Sequence, residues 1–237
     1  MAQHNITLPS GQHLPYQLER RARRTVGLKI TAEGLVIHAP ARILHSQLEQ
    51  IILDKSGWIQ KKLHEVEQKK LPPFAWQSGE TLLLYGQTIR LEILESARNK
   101  KITFDGNCLQ LATSESTNQR FIARKVLQWY QQEAATDLAR RLAIFAAKLG
   151  VATPAFFLSN AKSRWGSCNS RKEVRLNWRL IQAPPHIINY VVCHELAHLK
   201  EMNHSAKFWR VVAQLFPDYK QAEKELKLLS PHLHRLN

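Results

Sequence analysis

The run His194-Glu195-Leu196-Ala197-His198 places two imidazoles four residues apart, with a carboxylate beside the first. On a helix, residues at that spacing share one face with Cβ atoms about 5–6 Å apart, so both rings can reach one metal ion. Glu195 is turned about 100° away from His194. It therefore flanks the metal rather than ligating it, and can take a proton from water held there. Zinc suits such nitrogen ligands, because it undergoes no redox change and acidifies bound water toward neutral pH. By ordinary residue frequencies the pattern arises by chance in about one chain in a hundred of this length. The bland alternative is a solvated helix that carries two histidines, or core histidines satisfied by hydrogen bonds.

A site of this kind needs a third protein ligand. His204 follows His198 by six residues, a spacing that returns a ring to the site after a turn. Glu223 and Glu225 compete for the place, since a glutamate from the following helix can serve. A neutral imidazole close in sequence and just outside the helix is the simpler solution. Glu201 stands where the pattern H-E-x-x-H-x-x-G-x-x-H has the glycine of its sharp turn, so this chain does not follow that pattern. The expected cofactor is one Zn2+ per chain, held by His194, His198 and His204.

The helix that must carry these groups opens at Pro184-Pro185, where proline is welcome in the first turn, and Ile187, Ile188, Val191 and Val192 form its apolar face. Upstream, a helical stripe of Ile122, Val126, Trp129, Leu138, Leu142, Phe145 and Leu149 starts near Gln119 and ends at Gly150, a natural left-handed cap. Between the two, a hairpin is expected from residues 156–165 and 174–178, turning at Gly166-Ser167-Cys168-Asn169-Ser170. Shorter helices are expected near residues 205–216 and 219–229.

The first part of the chain reads as strands around one helical stretch. Residues 25–30 and 35–38 flank a turn at Glu33-Gly34. Ser46 and Glu49 have the spacing of a capping box, and helical periodicity then continues to Lys70-Leu71-Pro72-Pro73, with a break near Ser56-Gly57. Two further hairpins are expected about Tyr85-Gly86-Gln87 and Asp105-Gly106-Asn107. No repeat is visible. The fold class is α+β, with a β-rich region over residues 1–114 and a metal-binding catalytic domain over residues 115–237.

At 237 residues and 44% hydrophobic composition the chain has ample material for a packed core, which excludes a disordered protein. No apolar run approaches the ~20 residues of a membrane span, and the first residues lack the pattern of a signal peptide. Cys108, Cys168 and Cys193 are odd in number and far apart, which fits a reducing, cytoplasmic setting. The net charge of +15 suggests an anionic partner.

Several segments together resemble the YgjP-like metallopeptidases. They are Ser163-Arg164-Trp165-Gly166-Ser167-Cys168, then Leu176-Asn177-Trp178-Arg179-Leu180-Ile181, then Tyr190-Val191-Val192-Cys193 leading into the two-histidine motif, and Asn203-His204-Ser205 with Phe208-Trp209. Arg20-Arg21-Ala22-Arg23-Arg24 extends the likeness over most of the chain. The resemblance implies a zincin-like catalytic domain related to the SprT and WLM proteases. It maps metal ligands onto His194, His198 and His204 and the general base onto Glu195. Members of the family have also been linked to nucleotide hydrolysis.

Residues 155–183 carry six Lys/Arg and one acid. Along residues 174–179, Val174, Leu176 and Trp178 alternate with Arg175, Asn177 and Arg179, so one face is apolar and the other basic, and Asn160, Lys162 and Arg164 share the corresponding period on the preceding strand. Lys162, Arg164, Arg175 and Asn177 are therefore candidate contacts for an acidic peptide or a phosphate, with a solvated polar face as the plain alternative. The cluster Arg20, Arg21, Arg23 and Arg24 suits nucleic acid phosphates or a charged strand edge; without interleaved aromatics the strand edge is the better reading.

Three functions compete. The first is a zinc metallopeptidase in which Glu195 deprotonates the attacking water. The second is a metal-dependent hydrolase of nucleotide phosphoanhydrides. The third is a nucleic-acid-associated module with structural zinc, and an intact Glu195 counts against it, since a structural site gains nothing from a base.

Overall fold

The computed structural model describes residues 3–31, 34–68, 74–98 and 101–236. Strands β1 (Gln3–Thr7), β2 (His13–Arg21), β3 (Gly27–Thr31) and β4 (Gly34–Pro40) form a sheet in the order β1-β2-β4-β3. Its central pair is parallel and its outer pairs are antiparallel. Leu35, Ile37 and Ala39 alternate inward along β4, the period-2 signature of a half-buried strand. Leu48 and Ile52 of α1 (His45–Asp54) and Ile59 of α2 (Ser56–Gln68) complete that core.

The hairpin of β3 and β4 and the break between the two helices are as expected. Glu33 of the expected turn and the Lys70–Pro73 helix stop lie outside the described residues. The capping box does not form. Leu44 holds the N-cap with no side-chain bond, so Ser46 is already the second helical residue and cannot reach back.

A second sheet repeats this topology. β5 (Thr81–Leu84), β6 (Gln87–Glu95), β7 (Thr103–Phe104) and β8 (Cys108–Thr113) lie in the order β5-β6-β8-β7, again with a parallel central pair. In both cases two hairpins joined by a crossover lead into a helix. The duplication is one of architecture, invisible as a sequence repeat. The helix after this sheet is α3 (Gln119–Leu149), 31 residues long, capped by the Asn118 side chain and closed by Gly150 at φ 69°.

The chain divides into compact units at Met1–Pro72 and Pro73–Asn237, so the expected boundary after residue 114 is displaced. The reason is shared burial. Leu82, Leu91, Leu109 and Leu111 of the second sheet occupy one hydrophobic core with Ile122, Val126 and Tyr130 of α3. The Tyr130 hydroxyl donates to the Leu83 carbonyl at 2.8 Å.

The segment expected as one hairpin is a three-stranded sheet, β10-β11-β9, made by β9 (Phe156–Ser159), β10 (Gly166–Cys168) and β11 (Val174–Asn177). β9 pairs parallel to β11, and only β10 pairs antiparallel. Gly166 to Cys168 are thus strand rather than turn. The reversal comes later, where the Asn169 side chain accepts from the amides of Arg171 and Glu173 at 3.0 Å each.

After β11 a short 3-10 helix, Trp178–Gln182, leads into α4 (Pro185–Ala197), with Pro185 in its first turn. The helices α5 (Ala206–Leu215) and α6 (Tyr219–Leu233) follow. The start of α4 is held from two sides. The turn after β5 donates from Tyr85 N to Ile181 O at 2.8 Å and from Gly86 N to Gln182 O at 2.9 Å. Arg141 of α3 pairs with Asp137 at 2.6 Å and reaches Asn189 and the Pro185 carbonyl. Among the described residues no helix is long and apolar enough to cross a membrane.

Candidate metal centre

His194 and His198 lie on the last turn of α4, their ring centroids 5.3 Å apart. Beyond them the chain turns sharply, and Ser205 caps α5 by accepting from Phe208 N. That turn brings His204 back over the helix. The Nε2 atoms of His194 and His204 are 3.1 Å apart, and one nitrogen from each of the three rings lies within 4.8 Å of the others. Four-coordinate zinc with Zn–N bonds of about 2.0–2.1 Å sets its ligand nitrogens roughly 3.3–3.4 Å apart, close to the 3.1 Å between His194 and His204.

The donor chemistry fits a metal. His198 Nδ1 lies 3.1 Å from the Glu201 carbonyl, so Nδ1 carries the proton and the Nε2 lone pair faces the cluster. Phe208, fully buried, sits 4.6–4.9 Å from all three rings and fixes their orientation. Burial, reinforced by the neighbouring His198 and His204, pulls the His194 pKa down to about 4, which keeps that ring neutral and ready to ligate. Burial also lowers the pKa of His198.

Glu195 is 5% exposed. Burial pushes its pKa up to about 8, against a smaller opposing pull from Arg164. Among the described residues, four buried side-chain polar atoms have no hydrogen-bond partner, and two of them, His194 Nδ1 and Glu195 Oε2, belong to this site. Unpartnered buried polar atoms are rare in folded proteins, and two of the four fall together here.

Among the described residues neither rival third ligand joins the group of converging atoms, although the charge of Glu223 does reach His194. Glu225 is bound by His186 at 2.6 Å and Gln221 at 2.7 Å, and Glu223 by Lys227 at 2.8 Å.

The expected substrate contacts separate. Lys162 and Arg164 are exposed on the crossover between β9 and β10, and Arg164 is the cation that acts on Glu195. Arg175 is exposed on β11, its guanidinium 5.0 Å from the Phe157 ring.

Asn177 is fully buried and does not belong to that surface. Its amide donates to Ala161 O at 2.7 Å, and its oxygen accepts from Arg179 N at 3.1 Å. Arg179 is buried too, and donates to Leu236 O and Asn160. The common basic face fails because the strand gives way to a 3-10 helix at Trp178, and strand alternation ends there.

The arginine cluster is largely engaged internally. Arg20 donates to the carbonyls of Pro40, Ala41 and Ile43, Arg21 pairs with Glu19, and Arg23 donates to the Thr25 hydroxyl.

A residue with no assigned part in the sequence reading is Gly166, which lies against Glu195. The sequence around it suggests a turn, whereas in the fold it is a strand residue paired with Leu176.

A family model described as YgjP-like, metallopeptidase domain, matches residues 24–228. The chain is similar to the UTP pyrophosphatase of Escherichia coli (strain K12), with 34% identity over 83 residues, 34% of this chain and 50% of that protein. It therefore spans about half the length of this curated relative. Among solved structures it is similar to the metallopeptidase zymogen of Pyrococcus abyssi abylysin, at 25% identity and TM-score 0.36 over 38% of this chain and 92% of that one. The zymogen of Methanocaldococcus jannaschii jannalysin matches at 23% identity and TM-score 0.34, over 39% and 93% of the respective chains.

Proposed function

This chain belongs to the YgjP-like metallopeptidase family, and from that premise we propose that it is a zinc-dependent peptidase with Glu195 as its general base. The observation that carries the proposal is the convergence of three imidazole nitrogens beside a buried carboxyl with an unpartnered oxygen. His194, His198 and His204 would hold the metal. Zinc bound there supplies Lewis-acid polarisation of the scissile carbonyl and acidifies water toward neutral pH.

Glu195 takes the proton from the attacking water and passes it to the leaving amine nitrogen. β10 is an edge strand of its sheet, and an extended substrate can pair with it by backbone hydrogen bonds beside Glu195. Arg164 and Lys162 on the adjoining crossover favour substrates with acidic groups. The free thiols of Cys108, Cys168 and Cys193 suit a reducing compartment such as the cytoplasm.

A second reading, phosphoanhydride hydrolysis at the same site, is favoured by the relative named UTP pyrophosphatase. There the same two cations would hold phosphate. Zinc-loaded protein assayed in parallel on denatured casein and on UTP decides between them. Casein cleavage with UTP intact is expected, and the opposite outcome assigns the second reading.

Elemental analysis is expected to find about one zinc per chain. His204→Ala should lose it and Glu223→Ala should keep it. The reverse pattern would move the third ligand to Glu223, and no metal uptake at all would end the proposal.

A further inference from the structure

We infer that Gly166 is a positioning residue for the general base, kept as glycine because Glu195 fills the space a side chain would need. The inference rests on the role given to Glu195 above. A Cβ built on Gly166 would lie 2.3 Å from Glu195 Oε1 and 2.6 Å from both Cδ and Cγ. Heavy atoms in contact sit about 3.5–4.0 Å apart, so all three approaches are prohibitive. Because Cγ is among them, rotating the carboxyl group alone does not relieve the clash.

Backbone conformation supplies no reason for glycine here. Gly166 is absent from the glycines with positive φ, unlike Gly86 and Gly150, so alanine could adopt its backbone without strain. It is also strand residue, paired with Leu176 across β11. A glycine inside a strand weakens it and commonly marks the close approach of another group. That group is the Glu195 side chain.

Neither partner can readily withdraw. Glu195 is buried on α4, whose Ile187, Ile188, Val192 and Leu196 are fully buried. On the other side, Asn177 N donates to Trp165 O at 2.8 Å, and the Asn177 side chain braces the crossover before β10. Glycine at 166 therefore lets the strand backbone lie on the Glu195 side chain and hold it in one orientation beside the imidazoles. A methyl group there forces the carboxyl off that position, or pushes β10 away from it.

A double-mutant cycle tests this on the zinc-loaded full chain, with rates on denatured casein and on UTP. Gly166→Ala is expected to retain zinc and lose about tenfold or more in kcat, with KM changed less. Glu195→Ala removes the Cγ, Cδ and Oε1 atoms that the added methyl group would meet, so Gly166→Ala made in that background should cost far less than in the parent, in residual rate and in thermal midpoint. Thermal midpoints give a second reading should Gly166→Ala fold poorly. The drop it causes should disappear when Glu195→Ala has emptied the space.

Parent-like activity of Gly166→Ala would overturn the inference. So would losses that multiply independently in the cycle, or an equal thermal drop in both backgrounds. A fully active Glu195→Gln would instead overturn the role of Glu195 itself, so the two failures are distinct.

Discussion

Glu195→Gln is expected to keep its fold and its zinc while hydrolysis falls about 10²-fold or more, the usual weight of general-base catalysis. Glutamine has the same length and shape, so it fits the space against Gly166 and leaves the three imidazoles undisturbed. It cannot take a proton from water. The native carboxyl is buried and its Oε2 has no partner, so ionising it costs stability that the amide does not. The variant's thermal midpoint should therefore equal or exceed that of the parent, the familiar exchange of activity for stability at a catalytic group. Zinc content, thermal midpoint and rate measured on one preparation check all three parts. Loss of zinc would make Glu195 a ligand or an orienting group; full activity would place the base elsewhere.

The largest structural effect is expected at Asp137. Its carboxylate holds Arg141 at 2.6 Å on one oxygen and the exposed Arg140 at 2.7 Å on the other. Asp137 and Arg141 are 6% and 8% exposed, so this is a buried pair. Removing one member of such a pair strands the other charge away from water, at a cost of about 3–5 kcal/mol. Asp137→Ala should lower the urea unfolding free energy by that amount. Replacing Asp137 and Arg141 together by apolar residues of similar volume should cost much less, because no charge is then stranded. A loss below about 1 kcal/mol in the single variant would mean that water reaches the pair. The effect matters to the candidate site because Arg141 also grips Asn189 and the Pro185 carbonyl at the start of the helix that carries His194 and His198.

Local rules were legible in the sequence, and long-range pairing was not. The helix of the candidate metal centre is marked by Pro185 and by two histidines at helical spacing. The long helix was marked by its apolar stripe and by Gly150. β1 and β2 carry little local signal: Gln3–Thr7 is mostly polar and β2 contains Pro15, which argues against a central strand. Pro15 is tolerated because the ladder with β4 begins one residue later, at Tyr16. The parallel pairing of β9 with β11 has no local signature, because nothing in the sequence distinguishes a strand that returns antiparallel from one that crosses over first. Asn177 looked like a surface polar residue, and only tertiary contacts reveal that its amide ties down the crossover. Two sheets with one topology and unlike sequences show why no repeat could be seen: the architecture needs only the alternation of apolar residues, which many sequences satisfy.

The turn after β5 has a use as a reporter. An amide in a two-residue turn ordinarily faces water and trades its proton for deuterium quickly. Tyr85 and Gly86 instead donate to the carbonyls of Ile181 and Gln182, and a Cβ on Gly86 would meet Pro184 Cγ at 2.8 Å, so the turn is seated firmly. Those two protons become exchangeable when the turn lifts away, an opening that also releases the start of α4. A ligand bound only by the closed form makes that opening rarer, by about a hundredfold at a free concentration one hundred times its dissociation constant. Loading metal at the far end of the helix should therefore slow deuterium uptake at Tyr85 and Gly86, two positions that touch no ligand.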